Sequence, residues 1–322
     1  MFDVAVVGAG ISGLVAARSL QEAGYGVVVL EKSRGFGGRC ATRRLARMRA
    51  DHGLRGLTPQ GKYSQGLIET LLAQGIVQPW LTEESLFYIA PEGMNAVGKF
   101  LAQGLDVHTQ QRVSALQFSQ EQGWNLEVEG GDAIASSALV MAIPAPQALE
   151  LLKPLSAILP EDFLPRLQAV TFDPCIAVMA GYPEDKQGEV NFIVQTYENS
   201  DVAWMGLDSS KRRQAPQPVF VFHSRASFAQ QHLEDEDLQP AGQYLLNCAA
   251  KLTLPWLATP EFMQVHRWRY AFPQQPLSET YLSAKPLKLV CCGDWCGGYG
   301  VESALQSGLS AATELHSGIL PV

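Results

Sequence analysis

A glycine-rich turn between two apolar runs constrains the fold of this chain more than any other stretch. An apolar run ends in Gly8-Ala9-Gly10-Ile11-Ser12-Gly13, and a helix-length interval then leads to a second apolar run that ends at Glu31. A strand, a G-x-G-x-x-G turn, a helix and a second strand ending in an acid form the fingerprint of a dinucleotide-binding βαβ unit. Gly8 permits the tight turn, Gly10 lets the backbone approach a pyrophosphate, and Gly13 lets the helix lie close to the strand.

The ligand of this unit is narrowed by its helix and its acid. The helix that begins near Gly10 directs its free N–H groups at a pyrophosphate. Glu31 is placed to accept hydrogen bonds from adenosine ribose hydroxyls, and its charge disfavours the 2′-phosphate of NADP. The motif by itself is weak evidence, because NAD, NADP and FAD proteins share it.

Length and charge limit the class of protein. The chain has 322 residues, 47% of them apolar, and a net charge of −8. It is long enough for one large domain or two closely joined ones. The negative charge argues against nucleic acid or an anionic membrane as the main partner. No apolar run approaches the roughly 18 residues of a spanning helix.

Two further features indicate the cellular compartment. Asp3 occupies the place of the basic region of a signal peptide, and glycines interrupt the apolar region that would follow, so we expect no signal peptide. The six cysteines are few and irregularly spaced, as in reduced intracellular proteins. We therefore expect a cytoplasmic protein.

A basic loop follows the βαβ unit. Residues 32–55 contain eight basic residues and one acid, in a chain that is otherwise acidic. Such a charge run is usually a solvated face, and we keep that interpretation for Arg47 and Arg49. Gly37-Gly38-Arg39 directly follows the fingerprint, so we expect its N–H groups and guanidinium at the same pyrophosphate.

The middle of the chain mixes helices and strands, without repeats. We predict helices at Tyr63–Leu72, from Met94 to Leu101 and at Ala241–Leu252. We predict a meander of short strands, then a buried strand stopped by prolines, and further strands beyond it. These strands are Leu105–Val107, Arg112–Phe118, Trp124–Val128, Ala138–Ile143, Ile176–Gly181 and Val219–Ser224.

A second strand, glycine turn and helix close the chain. The buried strand Leu287–Cys292 precedes Gly293-Asp294, and a terminal helix runs from about Val301 to His316. FAD is too long for one βα turn to hold. Asp294 can bind its ribityl or phosphate-side hydroxyls, and the helix N-terminus can face the O2/N1 edge of the flavin. Cys292 with Cys296 fits buried packing better than a ligand pair, and we predict no metal site.

Five segments together resemble the renalase-like branch of the flavin amine oxidase superfamily, over essentially the whole chain. They are Gly8–Gly13, Gly38-Arg39-Cys40-Ala41-Thr42, Asp51-His52-Gly53, His266-Arg267-Trp268-Arg269-Tyr270-Ala271 and Gly293-Asp294-Trp295-Cys296. The resemblance implies an α/β fold with a Rossmann-like FAD-binding lobe of the amine-oxidase type and a substrate lobe of mixed sheet and helices over the flavin. We expect residues 1–60, 102–146 and 286–322 to form the FAD lobe, and residues 61–101 and 147–285 the substrate lobe.

The resemblance also implies an activity. Such enzymes are FAD-dependent oxidases of dihydronicotinamide dinucleotides reduced at the 2 or 6 position, which they return to NAD(P)+ while oxygen becomes hydrogen peroxide. Hydride transfer to flavin N5 requires no protein nucleophile, so the protein positions the ring and excludes wrong geometries. We expect noncovalent FAD, a monomer or homodimer, and no nucleic-acid partner.

Candidate site residues follow from the motifs and the resemblance. The predicted cofactor residues are Gly8, Gly10, Ile11, Ser12, Gly13, Glu31, Lys32, Gly38, Arg39, Thr42, Val113, Gly293, Asp294, Val301 and Glu302. Towards the substrate, His266, Trp268 and Tyr270 alternate on a probable strand and would face one way. His266 would bind the carboxamide or tune the flavin edge. Trp268 and Tyr270 are either core aromatics or a flat wall for the ring.

One motif departs from the family pattern. Similar proteins commonly read D-x-G-A-Q-Y-F-T, whereas this chain reads Asp51-His52-Gly53-Leu54-Arg55-Gly56-Leu57-Thr58, with Arg55 for the amide and Gly56 for the aromatic. Arg55 either holds a phosphate or carboxylate of the substrate or turns outward. The departure leaves the flavin expectation intact and opens the question of the substrate.

Two alternatives remain beside the dihydronicotinamide oxidase. An amine oxidase or a desaturase of a lipophilic substrate would have an aromatic cage and a long apolar tunnel, whereas a basic pocket sized for a dinucleotide favours the first hypothesis. In the other alternative, the flavin is held tightly and no reductant turns over.

Overall fold

The computed structural model describes residues 1–45, 48–83, 85–213 and 215–319. Its helices are α1 (Ile11–Glu22), α2 (Lys62–Ala73), α3 (Asn95–Leu101), α4 (Ala145–Leu152), α5 (Phe163–Ala169), α6 (Ala226–Gln231), α7 (Gln239–Leu252) and α8 (Gly300–Ile319). Its strands are β1 (Phe2–Val7), β2 (Val27–Glu31), β3 (Thr42–Leu45), β4 (Met48–Asp51), β5 (Gln78–Leu81), β6 (Leu86–Ile89), β7 (Asp106–Thr109), β8 (Val113–Ser119), β9 (Gly123–Val128), β10 (Ile134–Met141), β11 (Thr171–Gly181), β12 (Val194–Thr196), β13 (Val202–Leu207), β14 (Val219–Ser224), β15 (Phe262–Gln275), β16 (Leu282–Ala284) and β17 (Leu289–Cys291). Arg47 lies outside the described residues.

The larger sheet is built on the predicted βαβ unit. Strand β1 pairs in parallel with β2 and with β10, and β17 pairs in parallel with β10. The strands lie side by side in the order β16-β17-β10-β1-β2-β7. Central strands of a parallel sheet are buried on both faces, which is why β1, β2 and β17 read as continuous apolar runs. The two predicted glycine turns follow β1 and β17, so both lie at the carboxyl edge of the sheet, where such folds bind ligands.

The predicted meander is correct for β8 and β9 but not for β7. Strand β8 pairs antiparallel with β9, and β9 pairs antiparallel with β10. Strand β7 instead lies parallel to β2 at the edge of the sheet. It is a four-residue strand of half-exposed side chains, and such a pattern does not distinguish a parallel from an antiparallel partner.

The second sheet has the order β12-β13-β14-β11-β15 and is antiparallel throughout. On one face Ile176, Val178, Phe220 and Phe222 form a core with α7. On the other face Met179 and the β14 valines belong to the core that includes α1 and α8. This second face is therefore directed at the dinucleotide-binding unit. The division of the chain into two lobes stays a prediction.

Helices α1 and α8 are in contact, with the first turn of α1 against the third turn of α8. A Cβ placed on Gly308 would lie 2.4 Å from the Ser12 carbonyl oxygen, so the two helices are in backbone contact there. Helix α1 follows the glycine turn after β1, and helix α8 follows the glycine turn after β17. The described part of the chain contains no helix of the length and hydropathy that a membrane span requires.

Candidate active site

The first glycine turn has the geometry expected of a phosphate-binding turn. Gly8 has a φ of +106°, and a Cβ there would lie 2.6 Å from the Ala142 oxygen. A Cβ on Gly13 would lie 2.1 Å from the Gly8 oxygen, whereas a Cβ on Gly10 would meet nothing within 4 Å. Gly8 and Gly13 are thus required by the fold itself, and Gly10 faces the space that a ligand would fill.

The donors and acceptors around this space suit a dinucleotide. Helix α1 begins after Gly10 with no capping side chain, which leaves its first N–H groups for an anion. The Glu31 carboxylate is buried and accepts hydrogen bonds from the N–H groups of Ala9, at 2.9 Å, and Ser33, at 2.8 Å. Each of its oxygens keeps a lone pair for a ribose hydroxyl.

The basic loop packs directly on the glycine turn. The Gly37 N–H donates to the Ala9 oxygen at 2.7 Å, and a Cβ on Gly38 would lie 3.3 Å from the Gly10 Cα. The Arg39 guanidinium donates to Asp294 Oδ1 at 2.6 Å. The predicted anchors at the two ends of the chain, 255 residues apart, are therefore in contact.

The remaining predicted cofactor residues fall into two groups. In the first group, Ile11 and Ser12 are buried in the first turn of α1, and Val113 is buried at the start of β8. Gly293 and Val301 flank the second glycine turn, and Lys32 is exposed. Thr42 and Glu302 have their side chains engaged with the protein. The Thr42 hydroxyl donates to Asp51 at 2.6 Å, and Glu302 accepts hydrogen bonds from the first turn of α2, including Ser64 N at 2.6 Å.

The residues present fit FAD. An uncapped helix N-terminus, an open glycine position and a buried acid suit its adenosine diphosphate half. The Arg39 and Asp294 pair and the start of α8 extend the same cradle towards the second glycine turn. Among the described residues, no three His, Cys, Asp or Glu side chains are grouped so that they could hold a metal ion.

A row of large polar rings lies across the second sheet, on the face directed at the cradle. Trp204 on β13 pairs with His223 on β14, His223 pairs with Ala177 on β11, and Ala177 pairs with His266 on β15. Directly paired residues of adjacent strands point to the same face. We call Trp204, His223, His266 and Trp268, which lies two positions beyond His266, the ring row.

His52, on the loop after β4, packs on the ring row. Its ring is stacked on Trp268 with centroids 5.3 Å apart and meets His266 edge to face at 4.8 Å. Its carbonyl oxygen accepts hydrogen bonds from Trp268 Nε1 at 2.9 Å and from His223 Nε2 at 3.2 Å. Three of the six histidines in the sequence therefore form one cluster.

These histidines are neutral. Burial, with His266 and Arg43 nearby, lowers the pKa of His52 to about 3. Burial and Arg43 lower the pKa of His266 to about 4. Burial and Arg55 hold the pKa of His223 well below its ordinary value. Because a carbonyl oxygen only accepts, we assign the proton of His223 to Nε2.

Two arginines, Arg43 and Arg55, border the cluster. The sequence left open whether Arg55 turns inward or outward. Arg55 lies inward: its guanidinium carbon is 4.3 Å from the centroid of the Trp204 ring, and its Nε is 3.4 Å from His223 Nδ1. The Arg43 guanidinium approaches His266 Nδ1 at 3.5 Å. That contact leaves Nε2 of the neutral His266 ring as its N–H donor.

Tyr270 does not join the ring row, contrary to the predicted alternation. The pairing of β15 with β11 shifts register between Asp173 and Cys175, opposite this part of β15. The Tyr270 ring instead contacts Phe172 edge to face, with centroids 5.6 Å apart. A bulge breaks the two-residue period of a strand, so the side chains of Trp268 and Tyr270 diverge.

A buried charge quartet, formed by Asp51, Asp208, Lys211 and Arg212, fixes the loop that carries His52. Lys211 Nζ lies 2.7 Å from Asp208 and 3.4 Å from Asp51, and Arg212 lies 2.5 Å and 3.0 Å from the same two carboxylates. Burial opposes ionisation of Asp51, but Lys211 and Arg212 outweigh it and lower its pKa. The two cations balance the two carboxylates when all four groups are ionised.

Sequence reasoning misses His52, Trp204, His223 and the charge quartet as site residues. His52 stands inside a motif of the resemblance, and His223 ends an apolar strand, which are the signals that could have identified them. Nothing near Asp208 or Lys211 in the sequence indicates a partner at Asp51, because that contact joins segments 157 residues apart.

Comparison with known protein families agrees with this geometry. Residues 6–71 match the model of the NAD(P)-binding Rossmann-like domain. Residues 80–316 match the model of the flavin containing amine oxidoreductases. The chain therefore belongs to the flavin amine oxidase family, and it is an FAD-dependent oxidoreductase.

Similar proteins place it more narrowly in that family. Renalase of Mus musculus is 26% identical to it, over 96% of this chain and 97% of that protein. Putrescine oxidase bound to putrescine has a TM-score of 0.74 at 14% identity, over 98% of this chain and 99% of that one. Cyclohexylamine oxidase from Brevibacterium oxydans has a TM-score of 0.69 at 14% identity and the same coverage. The chain is a renalase-like member of the superfamily, and the solved oxidases share its fold.

Proposed function

We propose that this protein is an oxidase of renalase type whose substrates are dihydronicotinamide dinucleotides reduced at the 2 or 6 position. It returns them to NAD(P)+, and oxygen is reduced to hydrogen peroxide. The observation that carries the proposal is the pair Arg43 and Arg55 at a cluster of neutral histidines beside the cofactor cradle. Similarity to mouse renalase over nearly the full length of both chains supports it.

The residues of the chain suit hydride transfer. When bound, FAD supplies the hydride acceptor at N5 and passes the electrons to oxygen. Trp268 and His52 offer stacked flat surfaces for a nicotinamide ring. The Nε2–H of His266 is a donor for the carboxamide oxygen. Because the histidines stay neutral, the site positions the ring without giving or taking a proton.

The charge beside His266 argues against an amine substrate. Aliphatic amines are cations at neutral pH, and the guanidinium of Arg43, which lies 3.5 Å from His266 Nδ1, repels cations. The solved amine oxidases compared with this chain are 14% identical and support the fold alone. We therefore place the amine oxidase hypothesis second.

Anaerobic reduction of the flavin separates these functions. Purified yellow protein is mixed with borohydride-made NADH isomers or with putrescine, and absorbance is followed at about 450 nm, where flavins absorb. We expect bleaching with the isomers alone. Bleaching with the amine alone would support an amine oxidase. No bleaching with either compound would indicate a flavin-binding protein that oxidises neither. Either of these two results would overturn the proposal.

We further propose that the FAD is held noncovalently and that the protein is cytoplasmic. Cys292 and Cys296 are buried, and burial raises the pKa of the Cys292 thiol to about 12, which makes it a poor nucleophile towards a flavin. All six cysteines are free thiols, as in a reducing compartment. Acid precipitation tests the first point: noncovalent flavin stays in the supernatant, and yellow colour in the pellet would contradict it.

A further inference from the structure

The two residues that depart from the family pattern lie at one end of the ring row. Arg55 lies over the Trp204 ring, with its guanidinium carbon 4.3 Å from the ring centroid. A Cβ on Gly56 would lie 2.9 Å from the Phe87 Cβ, so strand β6 fills the space of the missing aromatic side chain. The departure therefore concerns the β13 end of the row, whereas His266, on β15, lies at the other end.

A second arginine, Arg43 on β3, borders the His266 end. Its Nη2 lies 3.5 Å from His266 Nδ1, and this is the one hydrogen bond of its side chain among the described residues. Arg49, on the same hairpin, is paired with Glu92. In the part of the chain that the structure describes, no carboxylate lies within ion-pairing distance of Arg43. Its half-buried guanidinium therefore keeps N–H donors for a ligand.

The charges that act on His266 are positive. Burial, Arg43 and Arg267 together lower the pKa of His266 to about 4. The chain as a whole has a net charge of −8, so this end of the ring row is a local exception. A half-buried guanidinium in such surroundings is suited to bidentate binding of a phosphate.

The place of Arg43 selects among the phosphates that a substrate can carry. In a dihydronicotinamide dinucleotide, one ribose separates the nicotinamide ring from the first phosphate, whereas the 2′-phosphate of NADPH lies on the distant adenosine. His266 is the proposed donor to the carboxamide through Nε2, and Arg43 contacts the other nitrogen of the same ring. An arginine at this position is therefore suited to the phosphate next to the nicotinamide riboside and not to the one at the adenosine end.

We propose that Arg43 is a specificity-determining residue that binds the phosphate next to the nicotinamide riboside of the substrate. The proposal rests on the proposed function, and it narrows the substrates to dihydronicotinamides that carry this phosphate. The uncharged riboside is then a poor substrate because it has no group for Arg43 to bind. The 2′-phosphate of NADPH adds no affinity through Arg43.

The experiment compares substrates that share one reacting ring. Borohydride-made isomers of the dihydronicotinamide riboside, the mononucleotide, NADH and NADPH are mixed anaerobically with flavin-loaded protein, and Kd is taken from the concentration dependence of flavin reduction. The variants are Arg43→Gln, which removes the charge, and Arg43→Lys, which keeps it. Arg44→Gln is the control, because Arg44 is an exposed arginine at the next position of β3, where the side chain points to the opposite face.

Arg43→Gln should raise Kd for the mononucleotide and both dinucleotides by about 10-fold or more, the size of a charged hydrogen bond. The factor should be the same for the NADH and NADPH isomers. Kd for the riboside should stay within about 2-fold, since no charged hydrogen bond is lost. Arg43→Lys should be intermediate, because lysine keeps the charge without the bidentate geometry, and Arg44→Gln should be unchanged.

Four results would overturn the proposal. Equal weakening for all four substrates would indicate that Arg43 acts through the packing of His266, and no weakening would indicate that it binds nothing. Weakening confined to the NADPH isomer would place Arg43 at the adenosine end. An equal effect of Arg44→Gln would show long-range attraction in place of a contact.

A binding measurement keeps this test separate from the proposed function. If no isomer reduces the wild-type flavin, the dihydronicotinamide activity fails. Calorimetric titration of the flavin-loaded, oxidised protein with inorganic pyrophosphate then decides the role of Arg43. Binding by the wild type and by Arg44→Gln, lost in Arg43→Gln, would retain the phosphate site. Absence of binding to the wild type, or equal binding by Arg43→Gln, would overturn it.

Discussion

Replacing Lys211 by Met tests the charge quartet. The Lys211 side chain is 1% exposed, and its Nζ lies 2.7 Å from Asp208 and 3.4 Å from Asp51. Methionine has a similar length, so the substitution removes the charge with little change in packing. Two buried carboxylates are then left with Arg212 as their one cation within the quartet. Breaking a buried ion pair by removing one partner destabilises a protein by about 3–5 kcal/mol.

Equilibrium urea unfolding of the flavin-loaded protein at pH 7, followed by tryptophan fluorescence, measures this loss. We expect the free energy of unfolding to fall by about 3–5 kcal/mol with an unchanged slope. Lys186→Met, which breaks an ion pair with Glu189 on an exposed turn, is the control and should change little.

A second substitution sharpens the result. Asp208→Asn combined with Lys211→Met removes one charge of each sign and restores neutrality, so it should recover part of the lost stability. A loss below about 1 kcal/mol in Lys211→Met would refute the reasoning, because that is the range of exposed pairs. A double variant no more stable than Lys211→Met would also refute it.

Three other outcomes follow from the site. His266 titrates at about 4 when folded and near 6.5 when unfolded. The unfolded state alone therefore takes up its proton between these values, so His266 makes stability fall by about 1.4 kcal/mol for each unit by which the pH is lowered; His266→Gln should reduce the slope of urea-measured stability against pH in this window by about that amount, and an unchanged slope would contradict the assignment. Gly10→Ala should fold normally but lose flavin, and Gly13→Ala, whose Cβ would meet backbone at 2.1 Å, should lose both; flavin absorbance and circular dichroism check this, and full flavin content in Gly10→Ala would contradict the cradle. Gly56→Ala should cost about 1–3 kcal/mol through its clash with Phe87, and a stabilised variant in urea would show that β6 can move aside.

The features predicted well from the sequence are local ones. The glycine spacing after β1 determines a turn and a helix start within 13 residues, and both are present in the structure. The second glycine turn is recognisable because β17 is a short, fully buried run. A strand that is buried on both faces of a parallel sheet consists of consecutive apolar residues, so it can be recognised directly in the sequence.

The features predicted poorly depend on contacts between distant segments. Thr42 and Glu302 stay predicted cofactor residues, but the partners of their side chains could not be read from the sequence; Glu302 and Ser64 are 238 residues apart. The alternation that groups Tyr270 with Trp268 fails because a register shift lies opposite it. The ring row requires the register of four strands at once, which local pattern does not specify.

The central claim is that this protein oxidises misreduced nicotinamides, and single-turnover stoichiometry tests it most directly. One equivalent of the 6-dihydro isomer of NADH is mixed anaerobically with the flavin-loaded protein, and the products are separated by chromatography. We predict full flavin reduction with one NAD+ formed per flavin, and no comparable reduction by ordinary NADH. An unbleached flavin, or reduction without formation of NAD+, would contradict the account.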